Sequence, residues 1–250
     1  MSEISDFGDE EKLTYLRLHL TNFLSYRSAT LDFADMVALV GPNATGKSNA
    51  VAAIKLLREI PYHGLPVAIA RRGGFDQLRH RSSGRPYNPA IRLDFRYGNA
   101  SESYYELKLR ALEGKRYEVK EERGVIHTHE GYYYDFRNVN GSLTWQEKDR
   151  EGKTRARNID RKVPVPPGQS CISIPASFGV YMASAVLRAM QTVEINPARV
   201  GELQEPSSTR EYESDGSNTA SVFESLSASR RGELVDELSA IVPGISRIEM

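Results

Sequence analysis

The sequence predicts an α/β fold in which a phosphate-binding core is joined to an antiparallel β lobe, and three observations predict it. The run Met36-Val37-Ala38-Leu39-Val40 is apolar without alternation, as in a strand buried on both faces of a sheet. It leads straight into Gly41-Pro42-Asn43-Ala44-Thr45-Gly46-Lys47-Ser48, which meets every fixed position of the phosphate-loop pattern G-x-x-x-x-G-K-[ST]. Beyond Pro89, short segments alternate apolar and polar side chains between turns such as Glu113-Gly114-Lys115 and Asn140-Gly141-Ser142, the pattern of antiparallel strands.

Taken in order, Lys12 to Leu20 alternates as a strand, Thr21 to Tyr26 turns the chain, and Ala29 to Phe33 returns antiparallel. The buried strand Met36 to Val40 and its loop follow. A helix from Gly46 to Ile60 sets Ala50, Ala53, Ile54 and Leu57 at helical spacing and is expected to stop before Pro61. Leu65 to Pro89, rich in Gly, Pro and Arg, reads as an irregular loop with one helical turn. Strands are expected at Ile91 to Tyr97, Tyr104 to Leu112, Arg116 to Glu122, Gly131 to Asn138 and Leu143 to Gln146. Lys148 to Pro167 reads as a surface loop, Ala176 to Gln191 as a helix, Thr192 to Asn196 as a short strand, and Pro197 to Ser217 as an acidic, Ser-rich loop. Helices at Thr219 to Ser227 and Gly232 to Ile241 end at Pro243-Gly244, and Ile245 to Met250 reads as the start of another strand. The expected organisation is an acidic leader at 1–11, a phosphate-loop core at 12–64, an antiparallel β lobe with basic loops at 65–175, and a helical segment at 176–250.

Composition narrows the function classes. The chain has 250 residues, with 33 Lys+Arg against 33 Asp+Glu, so no uniformly basic coat for nucleic acid exists. No run of about 18 apolar residues is present, and Ser2, Glu3, Asp6, Asp9, Glu10 and Glu11 replace the basic-then-apolar start of a signal peptide. A cytoplasmic protein without membrane contact is expected. Cys171 is the lone cysteine, which excludes an internal disulfide and a Cys-based zinc site.

The loop carries the chemistry. Backbone N–H groups of Asn43 to Asn49 at a helix N-terminus face phosphate oxygens, while Gly41 and Gly46 let the backbone approach them. Lys47, the residue expected to be catalytic, neutralises β- and γ-phosphate oxygens, and the Ser48 hydroxyl ligates Mg²⁺. The nucleotide-binding set is therefore Gly41, Pro42, Asn43, Ala44, Thr45, Gly46, Lys47, Ser48 and Asn49, with Ser48 as metal ligand and ATP with Mg²⁺ as the bound group.

The residues around the loop say which kind of phosphate-loop protein this is. Leu18-His19-Leu20-Thr21-Asn22-Phe23-Leu24-Ser25-Tyr26, Leu31-Asp32-Phe33 and the loop followed by Asn49 resemble the ATPase heads of the RecF and SMC group within the ABC-type ATPases. The closest style is that of the stand-alone AAA-labelled members that include OLD-like and phage-defence ATPases. A weaker match is Ser214-Asp215-Gly216-Ser217-Asn218 with Val242-Pro243-Gly244-Ile245, while the β lobe matches only in style. The resemblance implies a phosphate-loop NTPase of ABC type whose head continues into a signature, a Walker B strand ending in Asp-Glu and a switch histidine. Leu226-Ser227-Ala228-Ser229-Arg230 and Leu234-Val235-Asp236-Glu237 echo the first two only faintly, so the C-terminal half of the head is expected to be missing. It also implies a homodimer that sandwiches ATP between heads, and action on DNA or on an effector such as a nuclease, in DNA repair or phage defence. A non-hydrolysing nucleotide-gated scaffold is the alternative; a small-molecule kinase fits the long β lobe poorly.

Other residues carry secondary expectations. Gln77 and Gln169 are the positions for a magnesium-sensing glutamine. Arg71, Arg72, Arg79, His80, Arg81 and Arg85 form a basic cluster, and Lys148 to Lys162 holds seven basic against three acidic side chains; both suit DNA phosphates or a solvated surface. The acidic stretch Glu202 to Asp215 offsets them. His127-Thr128-His129-Glu130 spaces two imidazoles as a metal pair or a hairpin edge, and Tyr132-Tyr133-Tyr134 and Trp145 suit base stacking or strand packing.

Overall fold

The computed structural model describes residues 12–81, 87–208 and 212–248. The acidic leader 1–11, Arg85 and the end of Ile245 to Met250 lie outside the described residues. The chain divides into two compact units, Met1–Met190 and Gln191–Met250.

The first unit is built on one eight-stranded sheet. Its strands are β1 (Leu13–Phe23), β2 (Tyr26–Asp32), β3 (Ala90–Tyr97), β4 (Ser103–Ala111), β5 (Tyr117–His127), β6 (Tyr133–Val139), β7 (Ser142–Lys148) and β8 (Thr154–Pro164), in the order β2-β1-β3-β4-β5-β6-β7-β8. Every neighbouring pair is antiparallel. Period-two alternation sends Leu18, Leu20, Leu93, Phe95, Leu107 and Phe136 to one buried face. Helices α1 (Lys47–His63), α2 (Leu65–Ala70), α3 (Phe75–Leu78) and α4 (Phe178–Ala189) supply the other half of that core, through Leu56, Leu57, Ile60, Leu65, Phe75, Val180 and Leu187. The opposite sheet face is an ion-pair lattice. Asp94, nearly fully buried, accepts from Arg17, His19 and Arg92, and Arg123 pairs with Asp135 at 3.0 Å.

Several expectations are corrected. Met36 to Val40 is not a strand: β2 is the sheet edge, and no described strand pairs beyond it. Without a partner the apolar run stays in solvent, with Met36 87% and Val40 91% exposed. Helix α1 runs through Pro61 to His63, because a proline in the last turn forfeits one hydrogen bond while Ile60 stays fully buried and Gly64 N–H closes on Ile60 O at 2.9 Å. The loop expected at Leu65 to Pro89 holds two short helices, α2 and α3, held by buried Leu65, Ile69, Phe75 and Leu78. The surface loop expected at Lys148 to Pro167 is largely strand β8; an edge strand with one neighbour needs no apolar face to reveal it.

The second unit holds α5 (Pro197–Val200), α6 (Thr219–Ser225) and α7 (Ala228–Ile241). The strand expected at Thr192 to Asn196 is absent; its backbone makes bonds from Glu194 to Ser214 and from Asn196 to Asp215, too few for a ladder. Residues 245–248 are likewise irregular. Helix α7 begins earlier than expected because the Ser227 hydroxyl caps Arg230 N–H at 3.3 Å.

Glycine 124 on β5 lies directly opposite Phe136 on β6. A Cβ there would sit 2.3 Å from Phe136 Cε1, and Phe136 is fully buried. Gly124→Ala is therefore expected to cost about 1–3 kcal/mol by overpacking, read as a lower urea midpoint at unchanged m-value.

Candidate nucleotide site

The phosphate loop is shaped by backbone choices that its residues permit. Gly46 takes φ 97° and Ala44 φ 67°, so the chain curls before α1 begins at Lys47. The Lys47 ammonium folds back into this curl, donating to Gly41 O and Pro42 O at 2.6 Å each. Thr45 Oγ1 donates to Pro42 O at 3.0 Å and narrows the ring further. Ser48 is exposed and Asn49 half-buried at the helix start. Thus a cation and the free N–H groups of a 17-residue helix converge on one exposed loop, the donor set that recognises phosphate.

The turn between β1 and β2 braces that loop. Tyr26 O–H donates to Gly46 O at 3.0 Å, and Asn49 Nδ2 donates to Ser25 Oγ at 2.8 Å. A Cβ on Gly46 would meet Ser25 Oγ at 2.6 Å, so only glycine allows the approach. Sequence reading found Ser25, Tyr26 and Asn49 through resemblance, without seeing this brace.

Geometry separates the two glutamine candidates. Gln169 Oε1 lies 3.7 Å from where a Gly64 Cβ would stand, at the far end of α1. Seventeen helical residues place that about 26 Å from the loop, so Gln169 does not reach a bound metal. Gln77 instead shares a hollow with Ser25, Asn49, His80 and Arg81. It is carried there by pairing of residues 78–80 with the β1–β2 turn: Leu24 N–H to Leu78 O and His80 N–H to Asn22 O, both 2.8 Å.

Most of the first basic cluster is engaged internally. Arg72 binds Glu59 and Ala68 O, Arg71 approaches Glu59 at 3.9 Å, and Arg79 binds Asp76 and lies over the Phe75 ring. His80 Nδ1 contacts Leu24 O at 2.9 Å, leaving Arg81 exposed. His127 Nδ1 contacts Glu102 O at 3.1 Å and packs on Tyr133, the setting of a hairpin edge. Among the described residues no three His, Cys, Asp or Glu side chains gather to hold a metal ion. Asp236 and Glu237 sit inside α7, not at a strand end, and Ser227 is its cap. Trp145 packs against the core. Among the described residues no helix is long and apolar enough to cross a membrane.

No curated protein matches the chain. A solved structure from work on ATP-driven dimerization and DNA-stimulated activation of SMC ATPases aligns over 90% of this chain and 99% of its own, at 14% identity and a TM-score of 0.31, a likeness too loose to carry an argument. A family model described as "AAA domain, putative AbiEii toxin, Type IV TA system" matches residues 36–161, half of the chain, from the apolar run through the phosphate loop and across the β lobe. The match thus covers the lobe where the sequence resembled the AAA-labelled ATPases only in style. With its phosphate loop and antiparallel lobe, the chain has the α/β fold of a phosphate-loop NTPase, and it belongs to this AAA-domain family.

Proposed function

We propose that the chain binds ATP with Mg²⁺ and acts as a nucleotide-gated switch. The observation that carries this reading is the Lys47 ammonium drawn onto Gly41 O and Pro42 O at the start of α1. Phosphate oxygens offer that ammonium full negative charge in place of two carbonyl dipoles, so nucleotide displaces it outward onto the β- and γ-phosphates. Ser48 supplies a hydroxyl to the magnesium ion, and the backbone of Asn43 to Asn49 supplies donors. In this reading Gln77, which shares a hollow with Ser25 and Asn49, is the glutamine that senses that metal. When bound, the ion neutralises charge developing on the transferred phosphoryl group.

Hydrolysis also needs a carboxylate to orient the attacking water. In this reading a further segment or a second copy of the chain supplies it, with the heads closing over ATP as a homodimer. The exposed run Met36 to Val40 supports such completion. With Leu31, Phe33, Ala50 and Ile54 it borders an apolar hollow of about 320 Å³ beside the loop, and an added strand would cover both. The switch then acts on DNA or on an effector such as a nuclease, in the cytoplasm. The second reading, a scaffold that binds ATP without cleaving it, rests on Asp236 and Glu237 lying within a helix.

Turnover separates the two. Calorimetry on the purified chain is expected to give Mg²⁺-dependent ATP binding, and a phosphate-release assay is expected to give little turnover alone and more at concentrations where the chain dimerises. Release that stays at background in the dimer favours the scaffold, while absence of any ATP binding ends both.

A further inference from the structure

Away from the phosphate loop, a groove of about 930 Å³ opens between α4 and strands β6, β7 and β8. That volume is within the range of ligand-sized clefts. Tyr134, Phe178 and Tyr181 form a continuous aromatic run along it, with ring centroids 5.3 Å and 5.8 Å apart. Phe178 is 50% and Tyr181 59% exposed, so these two rings are not packing the core. Two charges of opposite sign line the same groove. Glu147 on β7 turns to the start of α4, where its Oε1 accepts the Phe178 N–H at 3.0 Å. Arg155 enters from an irregularity in the β7–β8 ladder: Glu147 pairs with Ala156 and Lys148 with Thr154, which leaves Arg155 as the extra residue. A bulge of this kind re-aims a side chain, and here the guanidinium lies 5.2 Å from the centre of the Tyr132 ring. Glu147 and Arg155 are drawn to different walls, and neither forms an ion pair among the described residues. Glu130, the other acidic lining residue, already faces Arg150 at 3.7 Å. The groove therefore presents one open carboxylate, one open guanidinium and exposed aromatic faces.

We infer that this groove binds a small zwitterion with an aromatic body, the chemistry of a free aromatic amino acid: its ammonium on Glu147, its carboxylate on Arg155 and its ring against Phe178 and Tyr181. Both polar contacts are charge-assisted hydrogen bonds, and an ammonium beside Glu147 also meets the electron-rich faces of Tyr134 and Phe178. A polyanion gains one guanidinium and meets two carboxylates. A simple cation leaves Arg155 without a role and is repelled by it, while a purely apolar ligand desolvates both charges without replacing their water. Holding the start of α4 occupies only Oε1 of Glu147 and accounts for neither the Arg155 bulge nor the exposed rings. The inference goes beyond nucleotide binding and does not depend on it.

Calorimetric titration of the full chain without ATP, with phenylalanine as the probe, tests it. Phenylalaninamide keeps the cation and the ring, N-acetylphenylalanine keeps the anion and the ring, and glycine keeps both charges without the ring. Phenylalanine is expected to bind saturably, and each of the other three about tenfold or more weaker, since each lacks one charge-assisted or aromatic contact. Glu147→Gln, whose amide oxygen still accepts the Phe178 N–H, is expected to weaken phenylalanine about tenfold and to leave N-acetylphenylalanine no weaker. Arg155→Gln is expected to weaken phenylalanine to a similar extent and to leave phenylalaninamide no weaker. Thermal melting of both variants reports folding, and Arg155 is exposed, so its arm holds even where Glu147→Gln melts early. No saturable heat with phenylalanine, equal affinity for phenylalanine and either blocked derivative, or folded variants that lower the affinity of all ligands alike would each overturn the inference.

Discussion

Lys47→Ala is expected to abolish ATP binding: calorimetric titration should give no heat of association at nucleotide concentrations that saturate the wild type. The lysine is the sole cation shown within its own loop, and its ammonium already spans two carbonyls at 2.6 Å, so it stands inside the curl that phosphate must fill. Charge-assisted hydrogen bonds contribute about 1.5–3 kcal/mol each, and losing two of them weakens binding by roughly a hundredfold or more. The same substitution is expected to leave the melting temperature nearly unchanged. Lys47 is not buried, and the carbonyls of Gly41 and Pro42, both exposed, pass to water when the ammonium goes. A stable variant without ATP affinity thus locates the defect in recognition, whereas unchanged affinity sinks the assignment of this loop.

What sequence made legible here follows from how local each signal is. The phosphate loop is contained in eight residues, and its demands for glycine, lysine and a hydroxyl are met within them. Strands β3 to β7 show their alternation because one face is buried and the other is an ion-pair lattice. Met36 to Val40 misled for the opposite reason: an apolar run specifies burial, but burial as a strand requires a neighbour that the described residues do not provide. Strand β8 hid because an edge can be polar on both faces. Gln77 and Gln169 were indistinguishable until helix α1 separated them by its full length. The groove was illegible, since its rings come from positions as distant as Tyr97 and Tyr181. The tyrosines of β6 and the basic run from Lys148 were each visible, but only folding sets Arg150 and Arg155 over Tyr132.

Glu122→Leu should be the most damaging single change to the fold of the first unit. This carboxylate on β5 is fully buried and pairs with no cation among the described residues; donors from three directions hold it instead. Tyr105 O–H reaches Oε1 at 2.7 Å with the Ser170 hydroxyl also donating there, and Cys171 N–H reaches Oε2 at 2.7 Å, with Asn138 Nδ2 more distant at 3.5 Å. Burial, reinforced by the Glu122 charge, pushes both the Tyr105 hydroxyl and the Cys171 thiol well up, so each keeps its proton. Leucine fills the space and strands those donors. An unsatisfied buried donor costs about 1–3 kcal/mol, so three imply a loss of several kcal/mol, comparable with the total stability of many domains. Glu122→Gln separates charge from hydrogen bonding. Its amide oxygen can still accept from the fixed Cys171 N–H, and its NH₂ group faces two hydroxyls that can rotate to accept. Urea unfolding is expected to rank wild type above Gln, and Gln well above Leu. Equal midpoints for the two variants would mean that negative charge, rather than matched donors, holds the 170–171 segment against β5.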